Sequence, residues 1–141
     1  MKPLTRAMCA LACVCLSLTL VQVGKTATES FAVTGRILGA SGKSTIYVAL
    51  WQADGFLDDP VQQVVIAPGQ PLVYKFQVAK GRWAVSAFED RNGNNVLDIG
   101  PQGPKEPSGF WPTFAGRGEP KFDDVASLID KDVSDADINL K

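Results

Sequence analysis

TIYVALW, from Thr45 to Trp51, is dense in β-branched and aromatic residues and almost continuous in its apolarity, the pattern of a central strand buried on both faces. Further along, LVYKFQV alternates, with Leu72, Tyr74, Phe76 and Val78 on one face and Val73, Lys75 and Gln77 on the other. RWAVSAFE, from Arg82 to Glu89, runs as a third strand straight into an acidic loop. On the N-terminal side, Phe31, Val33 and Gly35 lead into Ile37 and then into the turn GASGKS. Asp54-Gly55 opens a loop carrying Asp58-Asp59-Pro60, QQVVIA follows, and Pro68-Gly69-Gln70-Pro71 is a turn. An irregular Gly- and Pro-rich stretch from Ile99 to Pro120 precedes two further strand candidates, Asp124 to Asp130 and Asp135 to Leu140. The spacing predicts an all-β chain folded as a single antiparallel β-sandwich of about seven strands over residues 28–141, with no internal repeat. Its expected core is Val33, Ile46, Val48, Leu50, Val65, Tyr74, Phe76, Trp83, Val85, Ala87, Val125, Leu128, Ile138 and Leu140.

Residues 1–27 read as an export leader rather than as part of that fold. Lys2 and Arg6 supply a basic start, Ala7 to Val23 carries no charge, and Lys25-Thr26-Ala27 offers a small-x-small exit. The run is marginal for a permanent span of roughly 20 apolar residues, so removal is expected, with a periplasmic or secreted product and no stable membrane span. Cys9, Cys13 and Cys15 all lie inside it, leaving the remainder without a thiol. The apolar stretch before Cys13 is too short for a good lipoprotein signal. All fifteen acids follow Thr28, against eleven bases there, a net charge of about four negatives. A surface of that sign does not gather phosphate backbones, which excludes nucleic acid as a partner class.

The constellation with definite chemistry is Asp90-Arg91-Asn92-Gly93-Asn94-Asn95-Val96-Leu97-Asp98. Side-chain oxygens stand at Asp90, Asn92, Asn94 and Asp98, with the Val96 carbonyl between the last two, in the first, third, fifth, ninth and seventh places of an EF-hand loop. A hard cation such as calcium takes such oxygens, so calcium is the candidate cofactor. Asn95 occupies the sixth place, where Gly is usual, and Pro101 the twelfth, where a bidentate Glu belongs. Asn tolerates a left-handed backbone, whereas the missing Glu calls for a replacement such as Glu106, Asp123 or Asp124. With two carboxylates in the loop, the expected site is weak and structural, of the extracellular grade. The competing reading is that Asn92-Gly93 is simply a turn between strands, its Asx side chains bonding the backbone.

A second candidate site is SGFWPTFAG, whose Phe110, Trp111 and Phe114 could form a platform for an extracytoplasmic carbohydrate or peptide, while an envelope protein is the partner class open to the module as a whole. The reading favoured over it is that these aromatics fold over the open end of the core as a plug. Asp54, Asp58 and Asp59 read as solvated turn-formers. The chain has no His, and beyond the leader no Cys, which removes the usual general base and thiol nucleophile. Carboxylates such as Glu89, Asp90 or Glu106 could in principle hydrolyse a glycosidic bond, but no spacing singles out a pair, so a non-catalytic module is expected.

VALWQADGFLDDP, KGRWAVSAFEDRNGNNVLDIGPQGPKEPSGF and PKFDDVASLI together resemble the secreted bacterial proteins grouped as domain of unknown function 2141. Asp90, Asn92, Gly93, Asn94, Leu97 and Asp98 fall on that family's D-x-N-G-N-G-x-L-D loop, with Asn95 departing from its second Gly. Pro104, Glu106, Gly109 and Phe110 fall on its Gly-Pro-x-Glu-x-x-Gly-Phe segment, and Phe122, Asp123 and Asp124 on its Phe-Asp-Asp motif. The resemblance implies a transthyretin-like or carboxypeptidase-regulatory-like sandwich, immunoglobulin-like in build, exported to the periplasm or beyond. It brings no activity. It also implies that the Asp90 loop, Glu106 and Asp123-Asp124 share one region of the fold.

Overall fold

The computed structural model describes residues 27–141; the segment read as a leader falls almost wholly outside them. The strands are β1 (Ser30–Leu38), β2 (Thr45–Trp51), β3 (Gln62–Ile66), β4 (Val73–Ala79) and β5 (Gly81–Asp90). The short strands β6 (Ile99–Gly100), β7 (Gly103–Pro104) and β8 (Ser108–Trp111) follow, then one helical turn α1 (Phe122–Val125), β9 (Ser127–Ile129) and β10 (Ile138–Asn139). One sheet has the order β10-β1-β4 and the other β3-β2-β5-β8, with β9 on the start of β5 and β6-β7 as a separate ribbon. The all-β class read from the alternation is the observed one.

Period-two patterning places the core between the two sheets. Ile46, Val48 and Leu50 of β2 and Trp83, Val85 and Ala87 of β5 meet Val33, Tyr74 and Phe76 from β1 and β4. The opposite faces of β2 and β5 are also covered. Ala49, Trp51, Ala84 and Val125 form a second buried cluster beneath Phe56, Phe110, Phe114 and Phe122. Continuous apolarity in TIYVALW therefore does report a strand buried on both sides.

Three expectations need correction. Val65 and Leu128 are 56% and 59% exposed, and the neighbouring Ile66 and Ile129 are buried instead. In a run such as QQVVI the phase of alternation is not fixed by composition; the register Ile46↔Ile66 and Val48↔Val64 fixes it. The Asp124–Asp130 candidate opens as a helical turn, because the Asp124 carboxylate accepts the Lys121 N–H at 2.9 Å and closes the chain on itself before β9 begins. Lastly, β10 runs parallel to β1, so the sandwich is not wholly antiparallel.

That parallel return rests on two glycines. A Cβ at Gly35 would lie 1.9 Å from the Ala136 carbonyl oxygen, and one at Gly109 would lie 2.5 Å from that of Asn139. Only bare backbone lets the C-terminal segment pass so close to β1 and β8. The Tyr74 hydroxyl donates to the same Ala136 carbonyl, and Val133 bridges Val33. Asp132 accepts the Ala32 N–H at 2.8 Å, while Asp137 takes Arg36 through both backbone and guanidinium. Reciprocal backbone bonds of 3.2 Å between Ser108 and Lys141 then join the edges of the two sheets. Gly35→Ala should destabilise the protein by about 1–3 kcal/mol or more, the cost of overpacking a close contact. Chemical denaturation measures it, and a change within error would show that the crossing at Ala136 is not required.

Candidate functional site: the loop after β5

The end of β5 carries two adjacent carboxylates that alternation sends to opposite faces. Glu89 continues the inward series Trp83, Val85, Ala87 and is fully buried, while Asp90 is 4% exposed. A buried carboxylate must be hydrogen-bonded, and both are. Glu89 accepts the Ser41 N–H at 3.0 Å, the Ser41 hydroxyl, and the Arg91 guanidinium at 3.1 and 3.2 Å. Burial raises the Glu89 pKa, but the bonds from Ser41 and Arg91 outweigh it, and the carboxyl sits below the ordinary glutamate value.

Asp90 folds the loop over itself. Its two oxygens accept the N–H groups of Gly93 and Asn95, each at 2.8 Å. Two Asx turns follow, Asn92 Oδ1 accepting Asn94 N–H at 3.1 Å and Asn94 Oδ1 accepting Val96 N–H at 3.0 Å. Gly93 and Asn95 take φ of 76° and 64°, so Asn at the sixth place adopts the left-handed conformation that Gly usually supplies there. The Tyr47 hydroxyl, on a ring stacked against Phe88, donates to Asn95 Oδ1 at 2.6 Å and ties the loop tip to β2.

The two remaining amides converge. Asn92 Nδ2 and Asn94 Nδ2 both donate to Asp98 Oδ2, at 2.5 and 3.1 Å. Glu106, itself 6% exposed, faces the loop's backbone: Oε1 accepts Arg91 N–H at 2.8 Å and Asn92 N–H at 3.4 Å, and Oε2 lies 3.5 Å from Asp98 N. It thus fastens the two ends of the loop together. Among the described residues no group of three or more His, Cys, Asp and Glu side chains gathers closely enough to hold an ion. Any cation here would rest on Asp90 and Asp98 together with the neutral oxygens of Asn92, Asn94 and Val96.

Asp90, Asn92, Asn94, Val96 and Asp98 thus belong to one short loop, and Glu106 lies against its backbone. Asp123 and Asp124 do not join them. Asp123 pairs with Arg82, near the start of β5, about 26 Å of extended strand from Asp90 at its far end. The aromatic candidates are also divided. Phe110 and Trp111 are neighbours on β8 and so point to opposite faces, Phe110 and Phe114 into the outer cluster and Trp111 against the inner core. The aromatics of the outer cluster cover the outward face of β2 and β5 rather than plugging an end, because Ala49, Trp51 and Ala84 leave that face apolar. Sequence reasoning missed the Ser41–Glu89–Arg91 linkage, although an acid on the inward phase of a strand is a readable sign of one.

An all-β sandwich whose longest strand ends in a carboxylate-bound, Asn-rich loop is the class these features define. A family model described as "Uncharacterized protein conserved in bacteria (DUF2141)" matches residues 39–137, and the chain belongs to that family. No curated protein and no solved structure matches the chain.

The native Glu89 carboxylate holds its proton less tightly than the unfolded one. Its stabilisation is therefore complete above the unfolded value near ~4.3 and is lost as pH falls through the lower native value. Melting temperatures recorded from neutral pH down to about pH 3 should fall over that acid window, and Glu89→Gln should flatten the fall while lowering stability at neutral pH. Parallel acid profiles for the two proteins would remove Glu89 from this role.

Proposed function

We propose that the protein is an exported, non-catalytic β-sandwich module, transthyretin-like in build, whose 90–98 loop is a weak structural calcium site. One observation carries the site: Asn92 and Asn94 turn their amides onto a single oxygen of Asp98, within a loop whose sixth residue, Asn95, is already left-handed. Amide hydrogens stand where a cation would neutralise Asp98. An entering calcium ion has to displace those two bonds, which keeps the affinity low and suits an environment of roughly 0.1–1 mM calcium. Bound there, calcium would draw oxygens from Asp90, Asn92, Asn94, Val96 and Asp98 and supply cohesion rather than chemistry, with Glu106 holding the loop ends.

Export is supported by the apolar, charge-free run after Lys2 and Arg6. The non-catalytic reading is supported by the absence of His from the chain and by the bonding of Glu89, Asp90 and Glu106 to donors of the fold itself. At about 5 mM calcium and a dissociation constant near 1 mM, linkage gives about 1 kcal/mol, or roughly 3–6 °C in melting temperature. Calorimetric titration and thermal unfolding in calcium and in chelator should show this for the wild type and lose it in Asp98→Asn, which removes the charge and keeps the side chain's size. Neither heat nor shift at several times ~1 mM calcium would leave the loop a self-contained turn.

A further inference from the structure

Beside the loop, and sharing its Leu97, the outer face of the second sheet carries a cleft lined by none of the proposed calcium ligands. Two hollows, of about 230 and 730 Å³, share Leu57, Leu97, Ser108 and Phe110 and so adjoin. The smaller lies over β2 and β5, where Ala49 and Ser86 stand directly opposite each other. These two small side chains leave a depression between the stacked Tyr47–Phe88 pair on one side and Trp51 on the other. Trp51 is fixed as a wall by its indole N–H, which donates to Ser86 Oγ at 2.8 Å. The larger hollow continues along the β6–β7 ribbon to Pro120, with Ile99, 65% exposed, on its side.

Two further features point to a ligand and to its chemistry. Leu57, which lines both hollows, is held at φ 66°, a left-handed conformation costly for a bulky side chain and of the kind found where a binding surface is shaped at the expense of backbone strain. The lining holds no Lys or Arg, and its one charged side chain is Glu119, while Ser108 and Gln102 offer neutral hydrogen-bonding groups. Volume in the range of about 300–1,000 Å³, apolar and aromatic walls and a few polar groups are what small-molecule sites share. We infer that this cleft binds a neutral, mainly apolar small molecule, with a ring or branched end seated over Ala49 and Ser86 and the rest lying along Leu97, Ile99 and Phe110. Anionic ligands are disfavoured, because no Lys or Arg lines the cleft and Glu119 repels them.

The test uses the neutral dye N-phenyl-1-naphthylamine and its anionic counterpart 8-anilinonaphthalene-1-sulfonate, titrated into the purified protein in chelator so that the result is independent of calcium. The neutral dye should bind saturably at one site per chain, and the anionic dye roughly tenfold or more weakly. Ser108→Trp, which fills the junction of the hollows, and Ile99→Asp, which charges an exposed position and leaves the core intact, should each weaken the neutral dye roughly tenfold or more. Val73→Ser, on the other sheet's outer face, should leave binding unchanged. Equal affinity for the two dyes, absence of saturable binding, or retention of binding in both cleft variants overturns the assignment. So does a dimer in sedimentation that Ile99→Asp dissociates, since the cleft would then be a contact between copies.

Discussion

Everything in this protein is arranged around a strand that has to be buried twice. β5 pairs with β2 along most of its length and with β8 and β9 on shorter stretches, and neither of its faces meets water freely. On one face Trp83, Val85 and Ala87 reach the main core; on the other Ala84 needs the cover that Phe56, Phe110, Phe114 and Phe122 provide. The irregular segment from residue 99 to 126 is thus no appendage. It supplies the second lid of the central sheet, and the cleft lies where that lid and the sheet do not quite meet.

The same burial explains the acidic loop. A strand buried on both faces that ends in Glu-Asp must give both carboxylates partners, and backbone N–H groups are the nearest donors. Asp90 finds them in its own loop, at Gly93 and Asn95, and Glu89 finds Ser41 in the β1–β2 turn and Arg91 beside it. Glu106, from the segment leading into β8, closes the arrangement by accepting from Arg91 and Asn92 at the loop's beginning and approaching Asp98 at its end. The loop is therefore shaped by the fold's own hydrogen bonds. In the proposed reading, this backbone preorganisation would let a site with few charges hold calcium at the weak end of the range, since the Asn92 and Asn94 amides on Asp98 are the bonds left to displace.

How much of this could be read from residues alone follows from which interactions are local. Strand phase in LVYKFQV was legible because its two faces are chemically distinct, and the double burial of TIYVALW because its apolarity is continuous; QQVVI and SLI set apolar neighbours side by side, and cross-strand register decided which of Val65 or Ile66, and Leu128 or Ile129, turned inward. The ligand spacing of the 90–98 loop is a local pattern, and Asn95 in the left-handed region follows from its side chain's tolerance of that conformation. Long-range partners were another matter. Nothing in the chain's order says that Tyr47 meets Asn95, that Ser41 meets Glu89, or that Asp123 turns to Arg82 at the far end of the strand. The parallel return of β10 beside β1 was hidden for the same reason, since Gly35 and Gly109 announce a close approach but not what approaches.

The central claim is that the loop after β5 is a preformed cation site rather than a turn alone, and amide-resolved NMR during calcium titration tests it most directly. The account predicts saturating shifts at the amides of Gly93, Asn95, Val96 and Asp98 and in the side-chain NH₂ signals of Asn92 and Asn94, with the amides of β1 and β4 unmoved. Uniform small drifts across the surface, or no movement at the Asn92 and Asn94 side chains as calcium is raised, would contradict it.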